Sequence, residues 1–215
     1  MIQIYLTNIR HDEEIDDVVA AEPYVFVAAV NLGSFVEVGG FPVPLPAFEV
    51  VRYGPIGGVD VDIDGDEGGT RSRPGTPRPF WGTDGNPAAL ADPDRAIFVV
   101  ALMENDGIDP ESLRGIVKGI VGASVLGTLS LSRTDKVAAL IGGVNSASGS
   151  PNGEPHFDGR VGIPQELRFS SDDLARAEAG QPVSKTLVFR DNGGRYTLTF
   201  DARNPIIEGS FQGRL

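Results

Sequence analysis

Cysteine is absent from the 215 residues, histidine occurs twice and tryptophan once. Without cysteine there is no disulfide, no thiolate metal site and no thiol nucleophile. His11 and His156 leave little for imidazole catalysis, and no HExxH pair, G-x-S-x-G elbow, P-loop or dinucleotide fingerprint occurs. Basic residues are also scarce: 18 lysines and arginines face 30 acids, for a net charge of −12. Such a field repels phosphate backbones and argues against a nucleic-acid partner. It repels anionic lipid as well, so a lipid surface is expected only if binding depends on calcium. Long apolar runs are missing; none approaches the roughly 20 residues that a membrane helix needs. The opening MIQIYLTNIRHDEE has no basic region ahead of an apolar core, so no signal peptide is expected and a soluble chain is.

What the chain does have is glycine (28) and proline (16), dispersed between strand-like runs. Ile2, Ile4 and Leu6 alternate with polar residues, which predicts a half-buried strand over Met1 to Ile9. Tyr24 to Val30 and Ala47 to Tyr53 read as further strands, with hairpin and turn material over Asn31 to Pro46. Ile97 to Met103 is the predicted central strand. Ser184 to Phe189 and Tyr196 to Asp201 flank Asn192-Gly193-Gly194 and predict a hairpin. Phe80 and Trp81 are expected to pin a long Pro/Arg-rich loop to the core, with an exposed aromatic pair as the alternative.

Helical signals lie between these strands. Asp109 as N-cap, Pro110 at the first helical position and an apolar stripe from Leu113 to Leu126 predict a helix. Gly115, Gly119, Gly122 and Ala123 leave room for close packing. Thr134 is expected to cap a second helix that Gly142-Gly143 ends. Ser171 is expected to cap a third, stopped by Gly180. The helical stretch, about residues 110–155, reads as an insertion into a chain otherwise made of strands. One domain over residues 1–203 with a tail over 204–215 is expected.

The acids fall into patterns of interest. Asp60-x-Asp62-x-Asp64-Gly65-Asp66 places alternate carboxylates before a glycine, the arrangement of a loop that folds oxygens around a hard cation. Its twelfth position is Arg71, not glutamate, so the complete EF-hand loop is missing. The opposing reading is an edge strand with one wet face. Two further clusters, Asp12 with Asp16 and Asp17, and Glu104 with Asp106, each follow a strand. If those strands are neighbours, the carboxylates converge, and calcium needs six to eight such oxygens.

ALMENDGIDPES after a strand, HFDGRVG and the hairpin KTLVFRDNGGRYTLTF resemble a bacterial family of β-sandwiches of the C2 type. The resemblance covers residues 1–35, 95–110 and 156–201. It implies a mainly β chain, an antiparallel C2-like sandwich here carrying a helical insertion, and calcium-dependent binding to phospholipid or protein. The basic lipid-facing patch usual in that family is missing. The expected function is thus a non-catalytic calcium-binding interaction module acting on a protein partner or surface. A structural or secreted effector-type component without a tight metal site is the alternative, and a metal-dependent hydrolase is a third.

Overall fold

The computed structural model describes residues 1–13, 23–54, 71–72, 78–82, 88–104, 109–148, 159–191 and 194–205, with only the backbone described at 11–13, 71–72, 104, 191 and 194. In chain order the elements are β1 (Gln3–Glu13), β2 (Pro23–Asn31), β3 (Phe35–Val38), β4 (Phe41–Pro44), β5 (Ala47–Tyr53), β6 (Arg71–Ser72), β7 (Ala96–Glu104), α1 (Pro110–Gly127), α2 (Arg133–Ser148), β8 (Arg160–Leu167), α3 (Ser171–Glu178), β9 (Val183–Asp191) and β10 (Gly194–Arg203). The architecture is mainly antiparallel β with three helices. Two compact units form, one from Met1–Val18, Val59–Pro93 and Arg168–Leu215, the other from Val19–Gly58 and Asp94–Leu167.

In the first unit the sheet order is β6-β1-β10-β9. Ile2, Ile4 and Leu6 are buried as their alternation predicts. A register shift between Leu6 and Asn8 then resets the parity, so that Ile9 is buried too, paired with Leu198. Phe80 and Trp81 are buried. They bond the backbone of β1 through Phe80 N to Ile4 O (2.9 Å) and Ile4 N to Trp81 O (3.2 Å). The Phe80 ring meets Phe200 edge to face at 6.1 Å. These contacts pin the loop and remove the alternative of an exposed aromatic pair. The terminal hairpin has the expected register, Phe189 opposite Tyr196, and pairs on to Asp191 and Gly194. The helix beside it starts one residue earlier than expected. Ser170, not Ser171, is its N-cap, in a capping box with Asp173. Gly180, at φ +84°, ends it as predicted.

In the second unit the sheet order is β5-β2-β7-β8. Tyr24, Phe26, Ala28 and Val30 of β2 share a face with their β7 partners Met103, Ala101, Val99 and Ile97. The helix pair covers that face. Leu113, Val117, Val121 and Val125 descend from α1 at four-residue spacing, and Val137, Leu140 and Val144 from α2. These seven side chains stand among the sixteen buried residues of this core. The helices, though inserted between the paired strands β7 and β8, therefore supply a layer of the core. Each such aliphatic side chain contributes about 1.5–3 kcal/mol by burial.

The second helix departs from expectation at both ends. It opens at Arg133 behind Ser132, whose Oγ accepts from Asp135 N at 3.2 Å. It also runs straight through Gly142-Gly143 to Ser148. Gly143 serves packing: a Cβ there would lie 2.9 Å from Ser124 Oγ and 3.0 Å from Ile120 Cγ2 on α1. Gly122 plays the same role towards β5, where a Cβ would lie 2.7 Å from the Phe48 ring. Arg133 ties the helix pair to the sheet, donating to Glu166 Oε1 at 2.6 Å and Ala96 O at 2.9 Å. Among the described residues, no helix is long and apolar enough to cross a membrane.

Candidate functional site

Seven of the nine carboxylates that the sequence nominates for a cation lie outside the described residues: Asp16, Asp17, Asp60, Asp62, Asp64, Asp66 and Asp106. So do His156 and Asp158. Asp12 and Glu104 are placed by backbone alone. Asp12 falls within β1, at the register shift between His11 and Glu13, whereas the sequence placed it after a strand ending at Ile9. Glu104 is the last residue of β7, opposite Pro23. The neighbours of β1 are β6 and β10 and those of β7 are β2 and β8, so the two strands belong to different sheets. Among the described residues, no group of three or more His, Asp or Glu could hold a metal ion. Asp109 is a helix cap: its carboxylate accepts from Glu111 N (3.4 Å), Ser112 N (3.0 Å) and Ser112 Oγ (2.8 Å). Those bonds, led by the Ser112 hydroxyl, hold its pKa below the ordinary value.

The described residues present a different feature, the β3–β4 ribbon. Gly39 and Gly40 join its strands with φ of +59° and +83°, the two positive angles of a tight two-residue hairpin turn. Val36 pairs with Val43 and Val38 with Phe41, so one face carries four apolar side chains and nothing else. Their exposures are 40%, 42%, 60% and 74%, in that order. The other face carries Phe35, Glu37, Pro42 and Pro44. Every position of both strands is exposed.

The root of the ribbon is built with care for its polar groups. Ser34 Oγ shares its one proton between Asn31 O at 2.9 Å and Leu45 O at 2.7 Å and accepts from Ala47 N at 2.5 Å. Asn31 Oδ1 accepts from Gly33 N at 2.9 Å. Beside this root Leu32, Gly33, Ser34, Phe35, Pro42, Pro44 and Arg95 line a concavity of about 350 Å³. Gly33 makes room for the arginine; a Cβ there would lie 3.2 Å from Arg95 Cδ and Nη1. Among the described residues, no carboxylate pairs with the Arg95 guanidinium. The sequence identified a hairpin here without assigning it a role. A signal was present: prolines at alternate positions exclude an interior strand, which leaves Phe41 and Val43 with no sheet to be buried in.

Comparison with known proteins adds no relative: no protein-family model, no curated protein and no solved structure matches this chain.

Proposed function

We propose that the chain is a non-catalytic interaction module that docks a protein partner through the β3–β4 ribbon. The observation that carries this reading is the fully apolar face of Val36, Val38, Phe41 and Val43, exposed on a ribbon whose root is fixed by Asn31 and Ser34. Contiguous exposed apolar patches are often functional surfaces. A photo-crosslinking side chain placed at Phe41 tests it in extracts of the source cells. The expected result is a discrete protein adduct that is absent when the same group stands at exposed Lys118 on α1, and absent when Val38 is changed to Asp. Adducts no different from those at Lys118 would sink the reading.

A calcium-dependent form of the same module is the second reading, favoured by the spacing of Asp60, Asp62, Asp64 and Asp66 and by the acids at Asp12, Asp16, Asp17, Glu104 and Asp106. The C2-like sandwich implied by the resemblance belongs with it. Thermal melts in calcium, magnesium and chelator separate the two forms, because a cation that binds only the native state raises its melting temperature. A calcium-specific rise supports the second form; an unchanged melt at millimolar calcium eliminates it.

A further inference from the structure

We infer that the ribbon takes an extended peptide along the outer edge of β3, antiparallel to it, with a carboxyl-terminal carboxylate at Arg95 and a cationic side chain opposite Glu37. This rests on the docking reading above and narrows its partner to a strand.

The edge chemistry of the ribbon is one-sided. Leu45 N donates to Ser34 O at 3.2 Å, so the hydrogen-bonded pairs are 34 with 45, 36 with 43 and 38 with 41. The backbone groups of residues 35, 37, 42 and 44 therefore point outward. On β4 both outward positions are proline, which has no N–H to offer. On β3 they are Phe35 and Glu37, each with an N–H and a C=O that no partner takes among the described residues. Only the β3 edge can accept a further strand, and strand addition supplies affinity through main-chain bonds.

Charge and area select the occupant. A second copy of this chain would bring another −12 against the first. The apolar face of the ribbon consists of four side chains, where two folded copies need about 800 Å² and 20–30 residues each. A short peptide meets neither obstacle. The two charges at the edge then set its direction. Arg95 lies over Gly33 at the root, and Glu37 is the sole charge of the ribbon. A peptide with its terminal carboxylate at the root and its cation towards the tip satisfies both. Four residues separate positions 33 and 37, so the cation falls about four residues before the terminus, at the one-to-one spacing of paired strands.

Panning a random octapeptide library with free carboxyl termini against the full chain tests this. Peptides with alternating apolar residues and Lys or Arg four positions before the terminus are expected. Glu37→Pro, which removes one outward N–H as proline already does on β4, should weaken them about tenfold. Glu37→Gln should keep binding but lose the preference for a cation, and amidation of the peptide terminus should weaken it as Arg95→Gln does. Unchanged circular dichroism and melting would show that Glu37→Pro still folds. If selected peptides lose affinity for Phe41→Asp but bind Glu37→Pro like the parent, strand addition is wrong and docking by the face stands. If neither substitution matters, or no peptide is enriched over the Glu37→Pro chain, the inference is overturned. Indifference to Phe41→Asp as well counts against the docking reading itself.

Discussion

Strand β2 and the β3–β4 ribbon are both apolar, yet every residue from Tyr24 to Val30 is buried while every residue of the ribbon is exposed. Hydropathy does not separate them; neighbours do. β2 is bonded to β5 on one side and β7 on the other, and the helix pair covers one of its faces. Among the described residues, β3 and β4 have only each other. The prolines of β4 forbid it an interior place, whereas β2 carries its one proline, Pro23, at its first residue. An apolar strand that is excluded from a sheet interior by its own backbone leaves its side chains exposed.

The largest test of this contrast sets one phenylalanine against another. Phe26 is 1% exposed in the helix-covered core and stacks edge to face on Tyr24 at 5.3 Å. Phe26→Ala removes the ring and leaves a cavity, so a loss of about 3–5 kcal/mol is expected in urea denaturation followed by circular dichroism. Phe41→Ala, with 74% of the residue exposed, should change stability by no more than about 0.5 kcal/mol. Comparable losses at the two sites would mean that the ribbon is covered within the chain itself, and the docking reading would fall.

The same contrast explains how far the sequence could be read. Strands were legible where apolar runs bounded by turns leave few choices: β5, at the edge of its sheet, has the predicted bounds of Ala47 to Tyr53, and β7, between β2 and β8, extends Ile97 to Met103 by one residue at each end. The Asp109 cap was legible because its chemistry is local. Features set by a distant neighbour were not. Gly142-Gly143 looked like a stop because the close approach of α1, which gives Gly143 its use, is a tertiary fact. The first strand was expected to end at Ile9 because the pairing that carries it on to Glu13 comes from β10, far along the chain, with Arg195 opposite Glu13. The ribbon was read as a hairpin, but its exposure depends on which of the described elements pack against it, a tertiary property. The nominated carboxylates follow ligand spacing, a local signal, whereas their convergence is another long-range property.

Within α1, two glycines repeat the comparison on a smaller scale. Gly122 faces β5, and a Cβ there would meet the Phe48 ring at 2.7 Å; Gly119 has nothing within 4 Å. Gly122→Leu should therefore cost about 1–3 kcal/mol as the ring and the helix are forced apart. Gly119→Ala should stabilise by about 0.5–1 kcal/mol, since alanine gains helix propensity and meets no neighbour. Equal effects of the two substitutions would contradict the packing of α1 against β5.

Charged groups obey the same division, with the smallest expected effect. Asp109 and Asp173 both stand at helix N-termini, but Asp109 is exposed and Asp173 is buried to 9% exposure. Burial opposes the charge on Asp173. The Lys185 ammonium at 2.7 Å and the Ser170 backbone N–H at 2.8 Å outweigh it and hold the carboxyl at about 2, below its ordinary 3.8. A carboxyl whose folded pKa is depressed stabilises the fold above the unfolded value and loses that contribution as pH falls through the folded one. The window is therefore pH 3.8 down to about 2. Lys185 is partly exposed, so solvent screening reduces the contribution to about 1 kcal/mol. Asp173→Asn should differ from the parent by that amount at pH 7, and the difference should close on acidification through the window. A gap that stays constant from pH 5 to pH 2 would mean that Asp173 acts through its cap hydrogen bonds, which asparagine reproduces only in part, and not through its charge.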